Sequence, residues 1–275
     1  VIVPAGTTYS WPAPVMPTGV SGAVAGSNAP NISGTLVNNT FAPVTIVYVV
    51  TPVSGAAGNC PGQPFNVSIT INPLAAVSNN PLNQSVCNGG TSTAVNWTSA
   101  TAGASYSWTV VSSGSVTGFL PAGSGATLGA MTLTNNGIAQ DSVVYAVSST
   151  ASACAAPATN YTIYVNPDAR AAFSFPQDTA CWPYPINISN TSPLSPGNPN
   201  IPNGSYNWYS INAAGVSTLL GTGSTFPGYT IANPSDSIKI KMVAISAFGC
   251  RNDSVTHTFF TKPQPQALFS LSNHD

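Results

Sequence analysis

The chain has 275 residues and 27.9 kDa, room for about two or three modules of ordinary size. Charged side chains are few, five Lys or Arg and six Asp with no Glu, which excludes a charged coiled coil or a long helical bundle. With a net charge of -1 and its few cations scattered, the chain cannot neutralise a phosphate backbone, and nucleic acid is excluded as a partner.

The opening VIVPAG lacks the basic start and long apolar run of a secretory leader, so it reads as a processed start or an internal one. Further on, apolar stretches are broken by Ser, Thr or Asn too early for a membrane-spanning helix. The first landmark is TTYSW, with Tyr9 and Trp11; it returns as ASYSW, with Tyr106 and Trp108, and as GSYNW, with Tyr206 and Trp208. A cysteine follows each pair, Cys60, Cys154 or Cys250, and a proline lies at one constant distance beyond each cysteine, at Pro73, Pro167 and Pro263. This register gives a repeat of about 95 residues. The expected units are 1–73, truncated at its start, 74–167 and 168–263, with 264–275 as the first strand of another; both ends look cut.

Within the units the apolar period is two. In FNVSITI, Phe65, Val67, Ile69 and Ile71 share one face, and in YTIYV so do Tyr161, Ile163 and Val165. DSVVYAV turns Val143, Tyr145 and Val147 inward, and DSIKIKM turns Ile238, Ile240 and Met242 inward with Lys239 and Lys241 toward water. The 24 Gly and 25 Pro fall mostly between these runs, as in PLSPGNPNIPNG. Short alternating strands with such punctuation predict an all-β chain of tandem immunoglobulin-like β-sandwiches in an elongated array. Tyr9, Trp11, Tyr106, Trp108, Tyr206 and Trp208 are expected to be core aromatics, with Trp108 and Trp208 plugging the cores; Trp97 and Trp182 are less constrained, and His257 reads as a half-buried strand residue.

The stretch of chain from Cys87 to Cys154 is nearly equal to that from Cys181 to Cys250. Equal placement in successive units predicts two disulfides, Cys87–Cys154 and Cys181–Cys250, each inside one unit, and leaves Cys60 unpaired. Such bonds place the protein outside the cell. The spacing suits no metal cluster, since there is no CxxC. An enzyme would need a nucleophile with its base, or paired carboxylates. The chain has no GxSxG, no HExxH and only two histidines, so neither catalytic nor cofactor-binding residues are expected.

The blocks SVCNGGTSTAVNWTSATAGASYSWTV and FNVSITINP resemble the PKD-like repeats of very large secreted proteins of Bacteroidota. Residues 168–263 look more like the ordinary PKD domain, whose pattern is Tyr-x-Trp-Asp-Phe-Gly-Asp-Gly; Tyr206 and Trp208 match it, but Tyr209, Ser210 and Ile211 replace the acidic turn. The resemblance implies a non-catalytic β-sandwich in a cell-surface adhesin exported by the type IX route, similar to gliding-motility adhesins. Such a segment is a stalk or spacer, or else a module that binds polysaccharide or surfaces through exposed loops. Its partners are then neighbouring repeats, and surface polysaccharide or the secretion and motility machinery. Four aspartates, in Asp141-Ser-Val, Asp178-Thr-Ala, Asp236-Ser-Ile and Asp253-Ser-Val, also fit the O-glycosylation pattern of that group, with Ser142, Thr179, Ser237 and Ser254 as acceptors. The same residues equally make a turn that opens a strand.

Overall fold

The structure, a computed structural model, describes residues 3–55, 59–193 and 203–269. The described residues form strands and turns with no helix. One strand order occurs three times. In the second unit an edge strand, Ala122–Ser124, pairs with the tryptophan-bearing strand Ser105–Ser112. Next come the central strand Asp141–Ala151, the closing strand Thr159–Asn166 and the leading strand Asn83–Cys87. The third unit repeats this order with Ser217–Thr222, Asn203–Ile211, Ser237–Ser246, Asp253–Lys262 and Thr179–Cys181. The first unit has Gly26–Ala29, Thr8–Trp11, Val44–Val53 and Phe65–Ile71, and among the described residues no leading strand.

Successive strands of a hairpin are antiparallel, but the leading strand arrives from the start of its unit and crosses the sandwich. It therefore runs parallel to the closing strand, with Thr162 opposite Asn83 and Asn166 opposite Cys87. The third unit does the same, with Thr179 opposite Phe260 and Cys181 opposite Lys262. Facing each large sheet is a layer of two-stranded ladders: Val20–Ser21 with Val37–Asn38 in the first unit, and Val95–Asn96 with Thr127–Leu128 and Val116–Thr117 with Thr134–Asn135 in the second. In the third unit Phe173–Ser174 pairs with Ser189–Asn190 and Tyr184–Ile186 with Tyr229–Ile231.

The apolar alternation buries the predicted faces. Val143, Tyr145, Val147, Ile163 and Val165 are closed from water in the second unit, as are Ile240 and Met242 in the third. Each large side chain so buried contributes roughly 1.5–3 kcal/mol. Trp11, Trp108 and Trp208 plug their cores, joined by Tyr206. Trp97, which the sequence leaves undecided, is buried too, 6.1 Å from Trp108 and 5.4 Å from Tyr161 between ring centroids. Two expectations are corrected. Tyr9 and Tyr106 are only half-buried: each is the second residue of its strand, whereas the buried Tyr206 is the fourth of its own. Phe65 is 46% exposed because, among the described residues, no strand covers the adjacent edge.

Two local devices recur that the sequence reading did not single out. The residue opposite each tryptophan is a glycine: Gly26 faces Trp11, Gly123 faces Trp108 and Gly221 faces Trp208. In the first two units the indole lies across the glycine, where an added Cβ would run into the Trp11 ring and come within 2.6 Å of the Trp108 ring. The second device is a buried asparagine. Asn38 Nδ2 donates to the carbonyls of Ala42 (2.9 Å) and Ile71 (2.8 Å), and Asn135 Nδ2 donates to those of Ala139 (2.8 Å) and Val165 (2.9 Å). Each ties a facing-layer turn to the end of a closing strand, satisfying carbonyls that would otherwise be buried unpaired.

Candidate functional site: the junctions between units

The cysteines mark the two ends of each sheet. Cys87 ends a leading strand and lies opposite Asn166, the last residue of its closing strand. Cys154 directly follows the turn at Ser152 and Ala153, in a two-residue strand (Cys154–Ala155) paired to the end of the central strand, before the closing strand begins at Thr159. Seven residue steps separate Thr159 from Asn166, roughly 23 Å of strand, far beyond the Cα separation that a disulfide spans. Cys181, opposite Lys262, and Cys250, before Asp253, are likewise at opposite ends of the third sheet. The expected pairings Cys87–Cys154 and Cys181–Cys250 are therefore overturned.

The bond present is Cys87–Cys250, with Cα atoms 5.5 Å apart, and it joins the far end of the second unit to the near end of the third. Cys60, Cys154 and Cys181 are free, the first and last exposed and Cys154 half-buried. Matched spacing made the pairs look internal, yet the same spacing arises when units are linked head to tail.

Both sides of the bond are held in place. On the second unit, the Asn88 N–H donates to the Asn166 carbonyl at 2.8 Å, and Asn166 Nδ2 donates to Ser85 Oγ at 2.8 Å. Gln140 Nε2 donates to Asn166 Oδ1 at 2.5 Å. On the third unit, the buried Ser246 Oγ accepts the N–H groups of Phe248 (3.2 Å) and Cys250 (3.1 Å), and the Ser246 N–H donates to Asn252 Oδ1 (2.9 Å). The residue before each turn cysteine is left-handed: Asn59 at φ 45°, Ala153 at φ 63° and Gly249 at φ 70°. A turn of the same hand thus presents the thiol in all three units. The linker runs beneath, with the Ala169 N–H donating to the Arg251 carbonyl at 3.0 Å and the Arg251 guanidinium 3.0 Å from the Asp168 carboxylate. Arg251 is 76% exposed, so that ion pair is worth under about 1 kcal/mol.

The first junction has the same plan without the bond. Asn72 Nδ2 donates to the Ser152 carbonyl at 3.4 Å, Thr101 Oγ1 to the Leu74 carbonyl at 3.0 Å, and Ser149 Oγ to the carbonyl of the buried Ala75.

The other predicted residues are not brought together. Ser142, Thr179 and Ser237 are half-buried and Ser254 is exposed. Each follows an aspartate at or beside the start of a strand: the N–H groups of Ser142, Ser237 and Ser254 donate to Asp141, Asp236 and Asp253 (2.7, 2.7 and 2.8 Å), and the Thr179 hydroxyl to Asp178 (3.1 Å). Burial raises the Asp141 pKa, but the N–H groups of Ser115 and Ser142 and the Ser115 hydroxyl outweigh it and hold the carboxyl below its ordinary range. His257 is half-buried as expected, stacked on Phe175 at 4.2 Å with Nε2 3.5 Å from Asp178. Trp182 is half-buried. Of the loop PLSPGNPNIPNG, residues 194–202 lie outside the described residues, as do His274 and residues 270–275 of the expected fourth unit. Among the described residues no helix is long and apolar enough to cross a membrane, and no three His, Cys, Asp or Glu side chains cluster as metal ligands.

The PKD-like domain family matches residues 2–75 and 84–169, more than half of the chain. The chain belongs to the PKD-like domain family. The third unit lies outside the matched residues, yet has the strand order of the second PKD-like unit. No curated protein matches the chain. Among solved structures, the human desmocollin-1 ectodomain is similar at 10% identity and a TM-score of 0.30, the match covering 97% of this chain and 53% of that one. A segment of titin, domains A168-A170, is similar at 13% identity and a TM-score of 0.34, covering 81% and 94%. The chain thus spans about half the length of the desmocollin-1 ectodomain chain. A disulfide between neighbouring extracellular-type β-units, one of them PKD-like, fits a protein that works outside the reducing cytosol.

Proposed function

We propose that this chain is a stalk segment of a secreted, non-catalytic cell-surface adhesin, in which PKD-like units are joined head to tail as spacers. The observation that carries this reading is the Cys87–Cys250 bond, because a covalent tie between neighbouring units serves spacing and not chemistry. The short linker of Pro167 and Asp168, between Asn166 of the second unit and Ala169 of the third, would otherwise act as a hinge; the disulfide gives the two units a second attachment and fixes their relative orientation. The surface suits the role, since Ser, Thr, Asn and Gly solvate it with little charge and contacts along the stalk depend little on salt. Export by the type IX route and O-glycans on Ser142, Thr179, Ser237 and Ser254 belong to the same reading and rest on resemblance alone.

Small-angle scattering of the oxidised chain and of Cys250→Ser tests it. A spacer loses stiffness in the variant, seen as a broader distribution of interatomic distances with the units still folded. Unchanged scattering, or saturable binding of a polysaccharide abolished by changes in loop 193–203, would overturn it.

A further inference from the structure

The closing strands of the second and third units each carry a parallel leading strand on their outer edge, whereas that edge of Phe65–Ile71 is bare among the described residues. The inward face of Phe65–Ile71 is correspondingly incomplete. Val67, Ile69 and Ile71 are half-buried, whereas Tyr161, Ile163 and Val165, their counterparts one repeat on, are buried. Tyr9, Trp11, Ile32, Val50, Phe65 and Val67 line an open apolar cleft of about 330 Å³. In the second unit Leu82, just before the leading strand, and Val86, on it, pack against the core that contains Trp97. At the end of the bare edge, Asn72 bonds to the turn that presents the free Cys154 thiol.

We propose that the edge of Phe65–Ile71 and the Cys154 thiol together form a docking site for a cysteine-ended leading strand. The occupant is a strand of the kind that Asn83–Cys87 adds to its own unit, an extended segment with alternating apolar residues that ends in a cysteine. It runs parallel to Phe65–Ile71, seats apolar side chains in the cleft as Leu82 and Val86 do, and ends with a cysteine opposite Asn72. That position is equivalent to Cys87 opposite Asn166, from which Cys250 is reached across a Cα separation of 5.5 Å. Closing the bond removes two protons and two electrons from two thiols, which a disulfide-bearing oxidant accepts by thiol–disulfide exchange. The backbone pairing and the alternating pockets are those of strand addition at a sheet edge.

The test uses the whole chain and the peptide PLNQSVCN, residues 81–88 of this sequence, carried as its mixed disulfide with 2-thiopyridine. The Cys154 thiolate attacks the peptide sulfur, a new S–S bond forms and pyridine-2-thione leaves, so no further oxidant is needed. Non-reducing peptide mapping is expected to find the peptide on Cys154 ahead of the more exposed Cys60 and Cys181. Amides 65–72 are expected to gain about tenfold or more protection from hydrogen exchange. A peptide carrying Leu82→Asp and Val86→Asp should lose the preference. Labelling that follows exposure, or no added protection at 65–72, overturns the proposal. So does a chain already dimeric through these amides, which would assign the edge to a second copy.

Discussion

Phe65–Ile71 and Thr159–Asn166 are the same strand in successive units, alternating in the same phase, yet one is half open to water and the other sealed. Alternation decides which face turns inward; sealing that face takes a partner that arrives from elsewhere in the chain. Thr159–Asn166 has Asn83–Cys87 on its outer edge and Phe65–Ile71 has none among the described residues, so identical patterning yields different burial.

The strongest way to sharpen the comparison is to hollow out equivalent cores. Trp208→Ala empties a sealed site and also removes the indole bond to the Gly223 carbonyl at 3.0 Å, and is expected to cost about 3–5 kcal/mol. Trp11→Ala, beside the open cleft, should cost less. Native-state hydrogen exchange in Asp253–Lys262 and in Phe65–Ile71 reads the two separately, and equal losses would break the distinction. Gly123→Ala comes next, since its Cβ runs into the Trp108 ring in a packed core; roughly 1–3 kcal/mol of the second unit's stability is expected to go, measured by denaturant titration.

Asn135→Ala leaves the Val165 carbonyl buried without its partner, about 1–3 kcal/mol, whereas Asn38→Ala exposes the Ile71 carbonyl in a looser unit and should cost less. Comparing the two variants by the same titration checks it. The smallest effect is with acid. The folded-state pKa of Asp141 is lowered, so the stability it supplies is present above the unfolded value near 3.8 and is lost as pH falls through the folded value. Asp141→Asn should flatten the acid limb of the second unit's stability curve, and the first unit should show no change.

The sandwich was legible because strands such as Asp141–Ala151 and Ser237–Ser246 carry their burial pattern in their own residues. Repeat spacing also located the junction cysteines. Their partners were not legible, because spacing is the same whether Cys87 bonds within its unit or to the next; only the parallel pairing of Asn83–Cys87 beside Thr159–Asn166 settles which end Cys87 occupies. That pairing is long-range and has no local signature. The glycine opposite each tryptophan had a signal, a glycine at a nearly constant distance after Trp11, Trp108 and Trp208, but it becomes meaningful only once register is known. The Asn38 and Asn135 anchors, one repeat apart, were visible in the same way.

The Cys87–Cys250 bond also decides how the chain carries tension. A pull applied at the two ends enters at Cys87, crosses the sulfur bridge and leaves at Cys250, so residues 88–249 stand outside the covalent load path. About 500 Å of contour length is thereby withheld from extension, at roughly 3.3 Å for each of those residues. A protease nick anywhere within 88–249 leaves the two ends of the molecule joined.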